Sequence, residues 1–274
     1  SLEEALCVKE DGTNPKETFV QIRGNANAEG KPVSPGFPSV LSPPEPEIES
    51  PAEGLSTGRR MALARWITDP ANPLTARVMA NRIWQHHFGR GIVRSTSDFG
   101  FQGTPPTHPE LLDWLACELM DSGWSTKSLI RELVLSHAYR LDSEHSTSNH
   151  RVDPDVVTLW RMPDRRLEAE AIRDAILQAA GELDRSRPEG SRVGMVEGVL
   201  QREQLAELLT SEQPVRSVYL PNLRGATIDA LGVFDAPDAA TVEGDREETS
   251  VATQALFMMN NEVVLQASDA MATR

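Results

Sequence analysis

Apolar residues recur at three- and four-residue intervals over most of the chain after Gly58, and the segment before it lacks that rhythm. Such spacing lines side chains along one face of a helix with 3.6 residues per turn. Arg59 to Thr68 carries Met61, Ala64, Trp66 and Ile67 at this spacing, and Asp69-Pro70 ends the pattern, because proline breaks the hydrogen-bond ladder. Asn72-Pro73 predicts an N-cap followed by proline at the first helical position, opening a helix that runs to about Phe88. Gly89 and Gly91 close it. Thr107-His108-Pro109-Glu110 has the form of a capping box ahead of the broad apolar face of LLDWLACELM, which Ser122-Gly123 stops. Ser125 caps a further helix bearing Leu129, Ile130, Leu133 and Val134, and the short link predicts an antiparallel helical hairpin.

Ser143 to Asp155 is polar and loop-like, whereas Arg166 to Leu183 predicts the longest clean helix. Its apolar stripe comprises Leu167, Ile172, Ile176, Ala179 and Leu183. Leu200 to Thr210 is expected to be helical, as are Ala252 to Met259 and Glu262 to Met271, while Val215 to Leu220 alternates like a strand. Before Gly58 the polar stretch Ser1 to Glu17 is expected to be poorly ordered. Thr18 to Arg23 alternates and is β-branched, which predicts one short strand. Gly24 to Gly58, rich in Pro, Gly, Ser and Glu, predicts an extended segment wrapped along a surface. The expected architecture is mainly α. Residues 1–57 supply a short N-terminal strand and a Pro/Gly-rich wrapped segment, and residues 58–274 form a single globular helical domain. The chain is expected to begin within a longer protein and to continue past Arg274, where no stop signal occurs.

Composition narrows the function classes only slightly. A chain of 274 residues, 39% hydrophobic and 25% charged, can bury a substantial core. Its formal charge of −14 repels phosphate backbones, so no nucleic-acid partner is expected. Arginines do gather at Arg77, Arg82, Arg90 and Arg94, and again at Arg161, Arg165 and Arg166; pairing with nearby carboxylates is the plainest account. No apolar run approaches the roughly 20 residues of a membrane span. The two cysteines, Cys7 and Cys117, form no CxxC or CxxCH, so no cofactor is expected within this chain. Cys117 sits among apolar helical positions, as a small core residue does.

The richest chemistry lies between Asn72 and His108. Arg77, Asn81 and Gln85 fall at i, i+4 and i+8, a single polar stripe on the predicted helix. Asn81 is a poor helix former, and its presence there implies a hydrogen-bonding partner. Arg77 and Arg82 suit recognition of carboxylate, sulfate or phosphate, or else a buried network with Asp98 or Glu170. His86 and His87 diverge by about 100° on a helix and are not a ready-made metal pair. One of them with Asp98, His108 and Glu110 could meet across the loop as a metal site, although capping or core histidines are commoner, and no metal set is assigned. The loop Asp98 to Gly103 carries Phe99 and Phe101, which could stack on a sugar or, more plainly, plug the core.

On the longest predicted helix, Glu170 and Asp174 could act as a carboxylate pair. Glu170 with Arg173 or Arg166 fits an intrahelical ion pair equally well. FDAPD at Phe234 to Asp238 is a turn signal, and Thr249 or Ser250 is expected to cap the helix that follows. The sequence has no GxSxG, Walker loop, HExxH or dinucleotide fingerprint.

The segments TFVQIRGNANAEGKPVSPGFPSVL, LARWITDPANPLTARVMANRIWQHHFGRGIV, SDFGFQGTPPTHPELLDWLACEL, GWSTKSLIRELVLSHAYR, RRLEAEAIRDAIL, FDAPDA and REETSVATQALFMMNNEVVLQA span nearly the whole chain from Thr18. Together they resemble a planctomycete-type domain family of unknown function, often found with cytochrome c-like modules in longer proteins. The resemblance implies an extracytoplasmic protein and a haem-bearing domain elsewhere in its parent chain. It carries over no catalytic residue.

Three functions fit. The first is a binding or scaffold domain recognising a glycan or protein partner. The second is a hydrolase-like enzyme on (sulfated) polysaccharide, using His, Asp and Arg of the 72–110 block. The third is a partner module for electron transfer, with haem supplied by another domain. The binding reading ranks first, because no motif encodes a nucleophile or a complete metal set.

Overall fold

A computed structural model describes residues 15–50, 56–189, 214–221, 228–238, 240–241 and 243–273. The described chain is mainly helical with a small N-terminal sheet, as the periodicity predicts. It divides into two compact units, residues 1–94 with 103–140, and residues 95–102 with 141–274. The helix expected over Leu200 to Thr210 lies outside the described residues. Among the described residues no helix is long and apolar enough to cross a membrane.

The first unit opens on β1 (Thr18–Gln21), which pairs antiparallel with β2 (Glu29–Val33), Thr18 facing Val33 and Phe19 facing Pro32. The expected single strand therefore has a partner drawn from the Pro/Gly-rich segment. Pro32 is tolerated because each strand of a two-stranded sheet is an edge, where a missing N–H costs no ladder bond. Farther along the same segment, Phe37 stacks on Trp66 of α1 (Arg59–Thr68), with ring centroids 4.6 Å apart. Most of α1 is exposed, Met61 and Ile67 included, and its buried residue is Ala62.

The core of this unit is α2 (Thr75–Phe88) packed on α3 (Pro109–Asp121) and α4 (Thr126–Leu135), with α3 and α4 also touching each other. Ala76, Ala80, Ile83, Trp84 and Phe88 of α2 are buried, facing a layer that includes Leu112, Leu115, Leu119, Leu129 and Leu133. Each large side chain fully removed from water contributes about 1.5–3 kcal/mol. Ser125 caps α4 as predicted, accepting from the Ser128 amide at 3.3 Å, and Gly89 follows Phe88 at φ +85°, but α2 starts at Thr75 after Leu74, two residues beyond the predicted start at Pro73. The capping box at α3 does not form. Thr107 instead turns its hydroxyl to the Ile92 carbonyl at 3.3 Å, and His108 occupies the cap position without a side-chain bond to the helix. Cys117, expected in the core, is exposed: Leu115, Ala116 and Leu119 take the inward face of α3 and turn it outward.

In the second unit α6 (Ala169–Ala180) packs on α7 (Asp229–Val233) and α9 (Glu262–Ala272), and α8 (Ala252–Asn260) packs on α7 and α9. Phe234 meets Phe257 edge to face at 5.5 Å. The α6 stripe is shifted from the expected one. Ala169, Leu177 and Ala180 are buried, whereas Leu167 is 60% exposed, because the helix begins only after Glu168 and ends at Gly181. A short α5 (Thr147–Val152), capped by Ser146, lies within the stretch expected to be a loop. The strand expected at Val215 to Leu220 is instead a single bridge, Asp184 to Val215, followed by a 3-10 turn at Ser217–Tyr219. The cap of α8 also differs from expectation. The helix starts beyond Val251, whose N–H is met by Gln254 Oε1 at 3.4 Å, and Thr249 bonds Asp235 instead.

Candidate functional site

In the first unit the polar stripe of α2 faces several partners. Asn72 Oδ1 accepts from the amides of Leu74 and Thr75, while its Nδ2 donates to the Trp66 carbonyl at 3.1 Å, tying α1 to the start of α2. Arg77 pairs with Asp113 of α3 at 2.6 Å and donates to the Pro73 carbonyl at 2.7 Å, so its carboxylate partner is neither Asp98 nor Glu170. The bond to Asp113 raises Arg77 above its ordinary value and holds Asp113 below its own.

Asn81 is 0% exposed, and its amide closes both ends of one backbone unit. Val93 N–H donates to Oδ1 at 2.9 Å and Nδ2 donates to the Val93 carbonyl at 3.0 Å. Gly91 makes that approach possible, since a Cβ there would lie 2.5 Å from the Val93 oxygen and 2.8 Å from Asn81 Nδ2. This is the partner that an asparagine inside a helix implied.

Gln85 is buried, Arg82 and His86 are exposed, and His87 is half-buried with Nδ1 2.7 Å from the Ile83 carbonyl. His87 also lies beside Tyr139, which meets Phe88 edge to face. His108 Nδ1 is 3.0 Å from the Thr107 hydroxyl, and Glu110 is exposed in the first turn of α3. Among the described residues no group of three or more His, Cys, Asp and Glu is placed to hold a metal ion.

Asp98 belongs to the second unit, where its side chain accepts from the Gly100 amide at 2.8 Å and closes a tight turn. Phe101, considered as a core plug, projects from that turn 99% exposed. The same segment is tied down by the Thr96 hydroxyl, which donates to the Gly244 carbonyl at 2.6 Å.

A concavity that gathers several polar side chains is also in this unit. A cavity of about 600 Å³ runs along one face of α6, lined by Glu168, Glu170, Asp174, Gln178, Arg185 and Arg216 among others. That volume falls within the range of small-molecule sites. Glu170, Asp174 and Gln178 share this face because they are spaced four residues apart. Glu170 is gripped by both arms of Arg246, at 2.7 and 3.0 Å, a fork-to-fork pair that the expected intrahelical partners do not make. Arg166 lies before the helix begins. It reaches instead to Asp235 at 2.7 Å and to the carbonyls of Phe234 and Thr249.

Burial pulls the Glu170 carboxyl upward, but the bonds from Arg246 and from its own backbone amide outweigh it and hold the group below its ordinary value. Asp174 Oδ1 accepts from the Ser217 amide at 2.8 Å and from its hydroxyl at 2.7 Å. Arg173, on the neighbouring face, donates to the Val215 carbonyl at 3.0 Å and to the Ser217 hydroxyl at 3.1 Å. Burial lowers its basicity, and the adjacent Asp174 offsets part of that effect. Arg173 and Asp174 therefore fasten the 215–217 segment along α6 and so build one wall of the cavity. Glu170 and Arg173 were legible as candidates from the sequence. Arg185, Arg216 and Gln178 were not, since a long-range bridge brings the first two to the helix.

No curated protein and no solved structure matches the chain. Residues 59–274 match a family model, covering the helical part of both units and most of the chain. By that match the chain belongs to PSD1, a family described as a protein of unknown function (DUF1553).

Proposed function

We propose that the protein is a binding module working outside the cytoplasm, and that the α6 groove takes a hydroxyl-rich, glycan-like ligand. The observation that carries this reading is the 600 Å³ cavity, whose wall interleaves carboxylate, amide and guanidinium groups with Ala171, Ala175, Leu183 and Val218. Sugars need that combination: hydroxyls pair with fixed donors and acceptors, while ring carbons rest on apolar surface. The carboxylates favour binding over acid–base catalysis. Glu170 is held ionised by Arg246, and Asp174 accepts from the Ser217 amide and hydroxyl, so both are set as hydrogen-bond acceptors. A hydrolase would need one carboxyl raised toward neutrality. Location outside the cytoplasm, planctomycete origin and a haem-bearing neighbour in a longer parent chain rest on the sequence resemblance described above.

The test is calorimetric titration and thermal shift of the full chain with neutral and acidic oligosaccharides, alongside an Ala175→Trp variant. Ala175 is exposed on the cavity wall, so the indole occupies space in the groove itself. The reading expects a ligand that raises the melting temperature of the parent chain, and at least tenfold weaker binding by the variant. Binding that the tryptophan leaves unchanged would place the ligand elsewhere and sink the proposal.

A further inference from the structure

Resting on the α6 groove as a ligand site, we infer that its ligand is anionic, and that a carboxylate or sulfate ester on the sugar seats between Arg185 and Arg216. Asp184 and Val215 form a parallel bridge, with the Asp184 amide donating to the Pro214 carbonyl at 2.8 Å. Arg185 and Arg216 are the next residues on each side, so the bridge sets them at matching positions on two adjoining segments. Paired segments of this kind run about 4.8 Å apart. Both arginines line the same cavity. Two like charges on one cavity wall repel, and an anion seated between them relieves that repulsion.

The groove's own carboxylates are largely committed elsewhere. Glu170 is taken by both arms of Arg246, which also lies 3.5 Å from Glu168. One oxygen of Asp174 is filled by the Ser217 amide and hydroxyl. Its other oxygen stands 4.0 Å from Arg216 Nε, beyond hydrogen-bond reach. Arg185 donates at 2.6 Å to Gln178, a neutral partner that leaves its charge uncompensated. Arg216 is 53% exposed, so its remaining donors face the open groove. A guanidinium fork binds two oxygens of a carboxylate or sulfate at once, and two forks side by side bracket such a group. The chain as a whole carries −14, which repels anions at long range and confines their capture to this patch.

The experiment titrates the full chain with three tetrasaccharides: neutral cellotetraose, tetragalacturonate, and a galactan fragment bearing sulfate esters but no carboxylate. Each is run at low and at moderate salt, in the parent chain and in Arg216→Ala, Arg185→Ala and Arg216→Lys. The expected result is at least tenfold tighter binding of one charged probe than of the neutral one, weakened by salt. Either alanine variant should lose about tenfold, the loss of one charge-assisted contact. Arg216→Lys should recover part of it, and melting temperatures should stay unchanged because both side chains are peripheral to the packing. Which charged probe wins tells carboxylate from sulfate. Equal binding of all three probes, with less than a twofold effect of either alanine, would overturn the anionic ligand and leave the groove as a neutral sugar site. Failure of all three probes to bind would remove the groove reading itself and this inference with it.

Discussion

Replacing Asn81 by leucine keeps the side-chain volume but strips the amide that closes both ends of Val93. The Val93 N–H and carbonyl, now bonded at 2.9 and 3.0 Å, would lose their partners at a site from which water is excluded. Leaving a buried polar group unsatisfied costs about 1–3 kcal/mol, so the pair amounts to about 2–6 kcal/mol. That is a large share of a domain's stability of about 5–15 kcal/mol. Urea titration followed by tryptophan fluorescence measures it, because Trp66, Trp84, Trp114 and Trp124 all lie in the first unit. With a slope of about 2 kcal/mol per molar urea, the midpoint should fall by about 1–3 M. Asn81→Asp should be no milder, since its second oxygen would oppose the Val93 carbonyl as a buried charge. Arg82→Ala, one position along and exposed, should stay within about 0.5 kcal/mol. A midpoint shift under about 0.5 M for Asn81→Leu would refute the view that this amide holds the loop, and would return Asn81 to the list of ligand-facing residues.

Gly91→Ala should destabilise the same unit by about 1–3 kcal/mol through the 2.5 Å clash with the Val93 oxygen, and the double variant with Asn81→Leu should cost less than the sum, which a double-mutant cycle in urea checks. Glu170 and Asp235 both sit below their ordinary values of 4.5 and 3.8, Glu170 because its hydrogen bonds outweigh burial and Asp235 first through the Thr249 amide. Their stabilisation is therefore complete above those values and lost as pH falls through the lower folded ones. Melting temperature should drop between pH 5 and pH 3, and Arg246→Gln should flatten the part due to Glu170; an unchanged acid slope in that variant contradicts the assignment. The Cys117 thiol, on the outer face of α3, should react with a disulfide reagent in the native Cys7→Ser chain at nearly the unfolded rate. More than a hundredfold protection would mean that the residue is buried.

The helices of the first unit were legible because their signals are local. The cap at Ser125, the terminal glycine at Gly89 and the 3.6-residue rhythm act within one or two turns, and the helix bounds followed to within a few residues. Asn81 could be singled out for the same reason: an asparagine inside a helix is costly unless something distant repays it. What repays it, the Val93 peptide, could not be named, since the return of the chain through Gly91 is a matter of steric fit. Cys117 and Leu167 were misjudged because an apolar residue type does not say which side of a helix another element will cover.

The α6 groove shows the division most clearly. Sequence alone determined that Glu170, Arg173 and Asp174 share a helix, with Glu170 and Asp174 on one face, because helical geometry sets that from spacing. Only the tertiary structure decided that Arg246 would take Glu170, and that the Asp184–Val215 bridge would bring Arg185 and Arg216 to the same cavity. Those partners lie tens of residues away. Their choice depends on how segments pack once the core has formed, a many-body balance that no local pattern encodes.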